Sequence, residues 1–431
     1  MGEEGALVGI EERKIAVIGL GYVGLPLAVE FGKKYETVGF DIDDTRIEQL
    51  GNHIDRTGEL TKSQLMLSER LSFTSNETDL FDYDVFIITV PTPVTQTKEP
   101  DLNPLISASS LVGKYIKNGS IVIYESTVYP GVTEEVCGPI LEKVSGLVFN
   151  HDFYLGYSPE RIVPGDKTRT FKDILKITSG STSAAASVVD DLYKSVVAAG
   201  TYKAENIKTA EAAKVIENTQ RDVNIALINE FSIIFRKMGI DTNEVINAAA
   251  TKWNFIELRP GLVGGHCIGV DPYYLIHESK QKGYVPDLIA TARKINEQIP
   301  VDIVNNYLKL VGKNRGYANS KCLVIGATFK PNCNDLRNSK VKDIVEMLVD
   351  NGVCVDLFDD VADYGQLHNI YGNVAVKMLG EKNSYDGIIL CVDHEFVFGK
   401  KIEFWRSLLT KNGVFFDIKS VYKKDESDFR L

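Results

Sequence analysis

Residues 14–24 read Lys-Ile-Ala-Val-Ile-Gly-Leu-Gly-Tyr-Val-Gly, an apolar run that breaks into spaced glycines. An apolar run bounded by a breaker has the pattern of a buried parallel strand, and Gly19, Gly21 and Gly24 have the G-x-G-x-x-G spacing of a strand-to-helix turn. The amphipathic stretch 25–34 continues as a helix, and the next apolar run, TVGFD at 37–41, ends in Asp41, about twenty residues beyond Gly21. Glycines at this point allow a tight turn and let a pyrophosphate approach the unpaired N–H groups of a helix N-terminus. Asp41 stands where a carboxylate bonds a ribose 2′-hydroxyl, so the combination predicts a Rossmann unit that takes NAD rather than NADP.

Outward from this stretch the alternation continues. Apolar runs at 84–90 (DVFIITV) and 120–124 (SIVIY) alternate with helical spacing at 44–50 and 105–116, the order of a doubly wound α/β sheet. The last hundred or so residues repeat it with KCLVIG at 321–326, VCVDLFD at 353–359, DGIILCVD at 386–393 and VFFDI at 414–418. An Asp recurs near the end of the second strand, Asp359, but the glycine fingerprint does not. Between the two lies 205–238, free of Gly and Pro and rich in helix formers, long enough for a helix of about 50 Å. The predicted fold is α/β, with two Rossmann-like doubly wound domains joined by a long central helix. The expected divisions are an NAD-binding domain at 1–203, a helical and dimerising part at 204–315, and a second Rossmann-like domain at 316–431.

Composition narrows the function classes. A formal charge of −11, from 48 Lys+Arg against 59 Asp+Glu, removes the broad positive field of a nonspecific nucleic-acid binder. No apolar run approaches the roughly 18 residues that would span a bilayer, so no membrane partner is expected. The opening MGEEGALVGIEERK is acidic and has no apolar core after a basic segment, unlike a secretory signal, which points to the cytoplasm. Six cysteines occur without a Cys-x-x-Cys pair, and no His-Glu-x-x-His cluster is present, so no metal site is expected.

One cysteine stands apart. In 259–272, Arg-Pro-Gly-Leu-Val-Gly-Gly-His-Cys-Ile-Gly-Val-Asp-Pro, four glycines surround Cys267 and offer access that a thiolate nucleophile needs. His266 is its sequence neighbour and therefore a poor base for it. On the long helix Lys214, Asn218 and Arg221 or Asp222 share one face, which suits either a solvated stripe or an oxyanion-stabilising set. The loops Thr89–Pro93, Glu125–Val128 and Ser158–Arg161 follow strands, or lie in loop settings, where open α/β sheets hold ligands. Thr328–Pro331 and Asp335–Arg337 occupy the corresponding crevice of the second domain, with Lys330 and Arg337 suited to a diphosphate.

GLGYVG, PTP, ESTV, SPER, EAAKVIENTQRD, GGHCIGVDP and TFKPN…DLR, in this order, resemble the nucleotide-sugar 6-dehydrogenases related to UDP-glucose and GDP-mannose dehydrogenase. The wording ENTQRDVNIALINE and RPGLVGGHCIGVDPYYL is most similar to the UDP-N-acetylhexosamine 6-dehydrogenases of bacterial surface polysaccharide synthesis. The resemblance implies Cys267 as nucleophile, Lys214 as catalytic lysine, Asn218 and Asp271 as oxyanion and proton-handling partners, Glu160 in thioester hydrolysis, and Thr127 beside water and cofactor. It implies NAD contacts at Gly19, Gly21, Tyr22, Val23, Gly24, Asp41, Arg46, Thr92, Thr127 and Arg337. Sugar-nucleotide contacts follow at Arg161, Ile162, Lys214, Asn218, Arg221, Gly265, Phe329 and Lys330, to which Arg259 is added. UDP-glucose enzymes of this family have a Cys-Phe-x-Lys-Asp run; here Val270 replaces the lysine, and Arg221 stands where they tend to be apolar. Both departures favour an N-acetylated sugar over glucose.

The expectation is thus an NAD-dependent four-electron oxidation of the C6 hydroxyl of a UDP-N-acetylhexosamine to its uronate, by a homodimer joined through the central helix. The alternatives are a two-electron NAD dehydrogenase of the 6-phosphogluconate or 3-hydroxyacid type, which leaves Cys267 unexplained, and a catalytically silent NAD-binding regulator. The sequence does not separate gluco, galacto and manno epimers.

Overall fold

The computed structural model describes residues 13–162 and 169–431. The opening segment read for a signal lies, up to residue 12, outside the described residues. Chain contacts divide the protein into two compact units, one of residues up to Glu217 with Tyr273–Gly283, the other Asn218–Pro272 with Tyr284–Leu431.

In the first unit, strands β1 (Ile15–Ile18), β2 (Thr37–Phe40), β3 (Leu71–Thr74), β4 (Val85–Ile88), β5 (Ser120–Tyr124), β6 (Phe153–Tyr157), β7 (Lys176–Gly180) and β8 (Thr201–Lys203) form one sheet in the order β3-β2-β1-β4-β5-β6-β7-β8. Pairing is parallel throughout except between β6 and β7. Because side chains alternate across a strand, β1 feeds two cores: Ala16 and Ile18 face a cluster with Phe86, Ile88, Val122 and Leu155, while Ile15 and Val17 face one with Val85, Ile87, Phe31 and Tyr193. Burial on both faces is what makes these strands read as unbroken apolar runs. The sequence reading missed β3, β6, β7 and β8; β3 and β8 are edge strands that are largely exposed or half-buried, whereas β6 and β7 are buried.

The second unit repeats the scheme with β9 (Lys321–Ile325), β10 (Cys354–Phe358), β11 (Tyr385–Leu390) and β12 (Leu409–Asp417), all parallel, in the order β10-β9-β11-β12. Cys322 and Val324 enter one core and Leu323 and Ile325 the other. The predicted long helix is present at Ile207–Lys237, 31 residues, about 46 Å. Among the described residues no helix is long and apolar enough to cross a membrane.

The internal repeat extends to atomic detail. Gly19 has φ +93° and Gly326 φ +84°, a region that favours glycine. Asp41 Oδ2 accepts the Leu20 N–H at 2.8 Å, and Asp359 Oδ2 accepts the Ala327 N–H at 2.6 Å. The two turns then diverge. After Gly19 a helix begins at Gly24; after Gly326 the next helix begins at Lys340, and the chain between them is a loop holding Phe329, Lys330 and Arg337. That loop replaces the helix N-terminus, which is why the second fingerprint is absent from the sequence.

Candidate functional site

The glycine turn of the first unit is fixed from below and open above. A Cβ on Gly24 would lie 1.9 Å from the Gly19 carbonyl oxygen and 2.4 Å from Thr89 Oγ1, whereas a Cβ on Gly21 would meet nothing within 4 Å. Thr89 Oγ1 donates to the carbonyls of Ile18 (3.0 Å) and Gly19 (2.7 Å), stitching the ends of β1 and β4 where the strand order reverses. Helix Gly24–Gly32 has no side-chain cap and no acidic residue in its first turn, so its field is available to an anion. Asp41 holds both Leu20 N–H and, at 3.0 Å, Asp43 N–H. An open glycine cradle, an uncapped helix start and a carboxylate at the next strand end fit NAD. Tyr22 and Val23 lie in that turn. Arg46 takes a supporting position: it is buried, its Nε donates to the Leu20 carbonyl at 3.0 Å, and Nη2 pairs with Asp55 at 2.9 Å.

Two further loops meet at the same strand ends. Thr92 Oγ1 donates to the Thr127 carbonyl at 2.7 Å and Ser126 Oγ to the Val90 carbonyl at 2.6 Å. Tyr274, fully buried, donates to the Thr92 carbonyl at 2.8 Å. Glu211 on the long helix accepts the N–H groups of Gly131 (2.5 Å) and Thr133 (2.9 Å), and burial pushes its carboxyl up to about 7 even against those two donors. Lys214, one turn on, is 7% exposed and forms no ion pair among the described residues, so this position is not a solvated stripe. Glu160 is also buried; its Oε1 accepts the N–H groups of Arg161 (2.6 Å) and Ile162. Arg161 pairs with Glu217 at 2.7 Å and donates to the Leu175 carbonyl at 2.8 Å.

In the second unit Asn218 and Asp271 come together, Nδ2 to Oδ2 at 2.6 Å, both buried. Asp271 opens the helix Asp271–Gln281, and the turn before it is closed by N–H bonds from Val270 (3.0 Å) and Asp271 (2.8 Å) to the Cys267 carbonyl. Cys267 is exposed and lies four residues before the start of the helix Asp271–Gln281. By contrast, burial drives the thiols of Cys137 and Cys322 up to about 12 and that of Cys391 higher still. The Cys267 loop is anchored by a buried polar chain. Asn229 Oδ1 accepts Gly261 N–H (2.8 Å) and its Nδ2 donates to the Gly261 carbonyl (3.0 Å) and to Asn296 Oδ1 (2.8 Å). Asn296 donates to Asp222 Oδ1 at 2.7 Å, which Arg293 Nη1 also reaches at 2.5 Å. Of the two candidates for the third position of the helix face, Asp222 is buried and Arg221 exposed.

The glycines near Cys267 have a reason other than access to sulfur. Gly265 has φ +81°, and a Cβ there would stand 2.7 Å from the Phe329 ring; one on Gly264 would stand 2.6 Å from the Asn338 carbonyl oxygen. They let the 329–338 loop pack directly on the Cys267 loop. His266 Nε2 lies 3.3 Å from Asp335 Oδ2, and Arg337 grips the same carboxylate with Nε at 3.0 Å and Nη2 at 2.8 Å. Although burial opposes it, His266 and Arg337 hold the Asp335 carboxyl well below the usual range. Lys330 Nζ lies 5.6 Å from the Phe329 ring centroid. Arg259 is engaged with Asn243 Oδ1 (3.1 Å), Asn247 Oδ1 (2.7 Å) and Glu257. Asp359, Asp360 and His394 cluster within metal-ligand reach. However, Asp359 already accepts N–H groups on both oxygens, and His394 is bonded through both ring nitrogens.

Comparison with known proteins agrees with this arrangement along its length. Models of the UDP-glucose/GDP-mannose dehydrogenase family match residues 13–197 (NAD binding domain), 208–298 (central domain) and 323–424 (UDP binding domain). The chain belongs to the UDP-glucose/GDP-mannose dehydrogenase family. Its cofactor is NAD, held in this family by the domain that carries the glycine turn. The chain is 52% identical to a UDP-N-acetyl-D-glucosamine 6-dehydrogenase of Pseudomonas aeruginosa, over 98% of this chain and 100% of that protein. It is 49% identical to a protein of the same name from Salmonella typhi, over 99% and 100%. The solved UDP-D-ManNAc dehydrogenase of Pyrococcus horikoshii superposes with a TM-score of 0.85 at 31% identity, covering 97% of this chain and 98% of that one. For a dehydrogenase of this family, the residues that sequence reasoning missed are those that hold the loops: Glu211, Asn229, Arg293 and Lys176.

Proposed function

We propose that this protein oxidises the C6 hydroxyl of a UDP-N-acetylhexosamine, UDP-N-acetyl-D-glucosamine foremost, to the uronate through a covalent intermediate on Cys267. The observation that carries the reading is an exposed cysteine in the turn that leads into the helix Asp271–Gln281, beside the buried Asn218–Asp271 pair, on a loop braced by Asn229. The choice of sugar rests on the likeness at about half identity to UDP-N-acetyl-D-glucosamine 6-dehydrogenases, with Val270 and Arg221 departing from the glucose type.

Bound NAD+ supplies the hydride acceptor for both oxidations. The chain's own residues handle the rest. Cys267 adds to the C6 aldehyde, forming a C–S bond as the carbonyl oxygen gains a proton. Loss of hydride and of that proton leaves a thioester; water then adds, the C–S bond breaks, and carboxylate and thiol are released. Lys214 and Asn218 serve the developing oxyanion, where one donor is commonly worth about 2.7–4 kcal/mol. Asp271 fixes Asn218, Glu160 takes the proton of the hydrolytic water, and Thr127 positions that water. Tyr22, Val23, Asp41, Arg46, Thr92 and Arg337 serve NAD; Arg161, Ile162, Arg221, Arg259, Gly265, Phe329 and Lys330 serve the sugar nucleotide.

We further assign the product to surface polysaccharide synthesis in the cytoplasm, and the working form to a homodimer. Leu227, Phe231, Ile234 and Met238 are exposed at i, i+4, i+7 and i+11 of the long helix and the residue that follows it, a stripe that a second copy would cover. The test is a panel of UDP-hexoses and UDP-N-acetylhexosamines with NADH and uronate counted together. The expected result is two NADH per uronate with the gluco epimer and no uronate with Cys267→Ala. Turnover without the thiol, or one NADH per sugar, overturns the reading.

A further inference from the structure

One buried ion pair of the first unit, Lys176 with Glu125, has no part in the mechanism above yet reaches Glu160, which has one. Lys176, 1% exposed, sits in β7 among apolar residues, and its Nζ lies 2.6 Å from Glu125 Oε2. The same nitrogen donates to the carbonyls of Pro159 (3.0 Å) and Ser158 (3.4 Å), the two residues before Glu160, and stands 3.6 Å from Glu160 Oε2. The Phe171 and Tyr193 rings flank it, each with its centroid 5.4 Å away. Glu125 Oε1 accepts the Tyr193 hydroxyl. Glu160 Oε2 is buried and accepts no hydrogen bond among the described residues.

A buried cation shared by two carboxylates is out of balance by one negative charge, and such charges are expensive to bury unless a proton restores neutrality. We infer that Glu125, Lys176 and Glu160 work as one proton-holding unit, in which Lys176 and Glu125 are positioning residues for Glu160 during thioester hydrolysis. Lys176 fixes the loop backbone before Glu160 and holds its carboxylate in place, leaving the buried Oε2 to take the proton of a water admitted during turnover. When Glu160 takes the proton of that water, the unit becomes neutral, and Glu125 is a second seat for the proton across the ammonium. Burial foremost, with Glu160 adding to it, pushes Glu125 up to about 7 although Lys176 and Tyr193 oppose the rise, which is consistent with a carboxyl that exchanges a proton at working pH. The groups facing Glu125 are Lys176 from β7, Tyr193 from the helix Ser183–Val196 and Glu160 from the loop after β6.

The inference rests on the thioester reading, and one experiment separates the two. The full-length protein is mixed with NAD+ and UDP-N-acetyl-D-glucosamine, quenched at intervals, and the Cys267-linked mass is followed against pH. Glu125→Gln is isosteric and removes the competing carboxylate; it is expected to move the acid limb of deacylation down by about one pH unit or more. Lys176→Met in the Glu125→Gln background removes both partners together, so no carboxylate of the pair is stranded, and is expected to move the limb back up. A role confined to structure would lower stability and slow every step without moving the limb. Adduct that accumulates in Glu160→Gln while neither variant moves the limb overturns this inference alone. No adduct in Glu160→Gln overturns the thioester reading and this inference with it.

Discussion

Asn218 Nδ2 donates to Asp271 Oδ2 at 2.6 Å, so a carboxylate that can only accept fixes which way an amide points. One N–H of Asn218 is consumed and the orientation of the other is set. Removing the charge removes the orientation without emptying the space.

Asp271→Asn is therefore expected to keep the fold and the KM for NAD+ while kcat falls by about 10²–10³, the range for one misplaced oxyanion donor. Asn218→Asp puts two carboxylates in hydrogen-bond contact and is expected to fall further and to destabilise the second unit. Steady-state kinetics with thermal melts check both; an Asp271→Asn enzyme with wild-type kcat refutes the assignment.

The two glycines that frame the cofactor turn separate binding from folding. Gly21→Ala adds a methyl into open space, so melting is expected to be unchanged while the KM for NAD+ rises by roughly tenfold or more. Gly24→Ala drives a methyl to 1.9 Å from the Gly19 carbonyl oxygen and must shift helix against strand, with an expected loss of about 1–3 kcal/mol. Equal melting of the two variants refutes this division.

This contrast also marks what was legible in the sequence. Strand, glycine turn and Asp41 are local, so residues 14–41 declare the first Rossmann turn, and the same apolar rhythm declares the second sheet. The face of Lys214 and Asn218 was legible as a face, but whether solvent or protein covers it depends on residues far along the chain. Lys176 meets Glu125 across 51 residues and Arg293 meets Asp222 across 71, and no spacing rule links them. A lysine inside the strand-like run ILKITSG was the one local sign that a buried counter-charge existed. Gly264 and Gly265 were noticed for their nearness to Cys267; their backbone demands come instead from Phe329 and Asn338, more than sixty residues on.

Asp359 stabilises the second unit in a pH-dependent way. Burial works against its ionised form, yet His394 and the N–H groups of Ala327 and Ala362 outweigh burial and bring it from 3.8 to about 2. A depressed carboxyl contributes fully above its unfolded value and loses that contribution as pH falls through the folded one. The shift corresponds to about 2 kcal/mol at neutral pH. Asp359→Asn is expected to lower the urea midpoint of the second unit at pH 7, and the gap from wild type should narrow below about pH 4 and close near pH 2. A gap independent of pH counts against the ionised pairing.

The cysteines give a last discrimination, because a thiolate alkylates and a buried thiol does not. Cys267 and Cys354 are exposed, whereas burial holds Cys137, Cys322 and Cys391 in the protonated form. In the native protein iodoacetamide is expected to modify Cys267 and Cys354 and to leave those three until urea is added. UDP-N-acetyl-D-glucosamine should shield Cys267 alone, and loss of activity should follow Cys267 labelling in a Cys354→Ser background as fast as in wild type. Peptide mass spectrometry at timed intervals reads both quantities, and inactivation that tracks Cys354, or substrate that leaves Cys267 labelling unchanged, would remove the sulfur from the sugar's site.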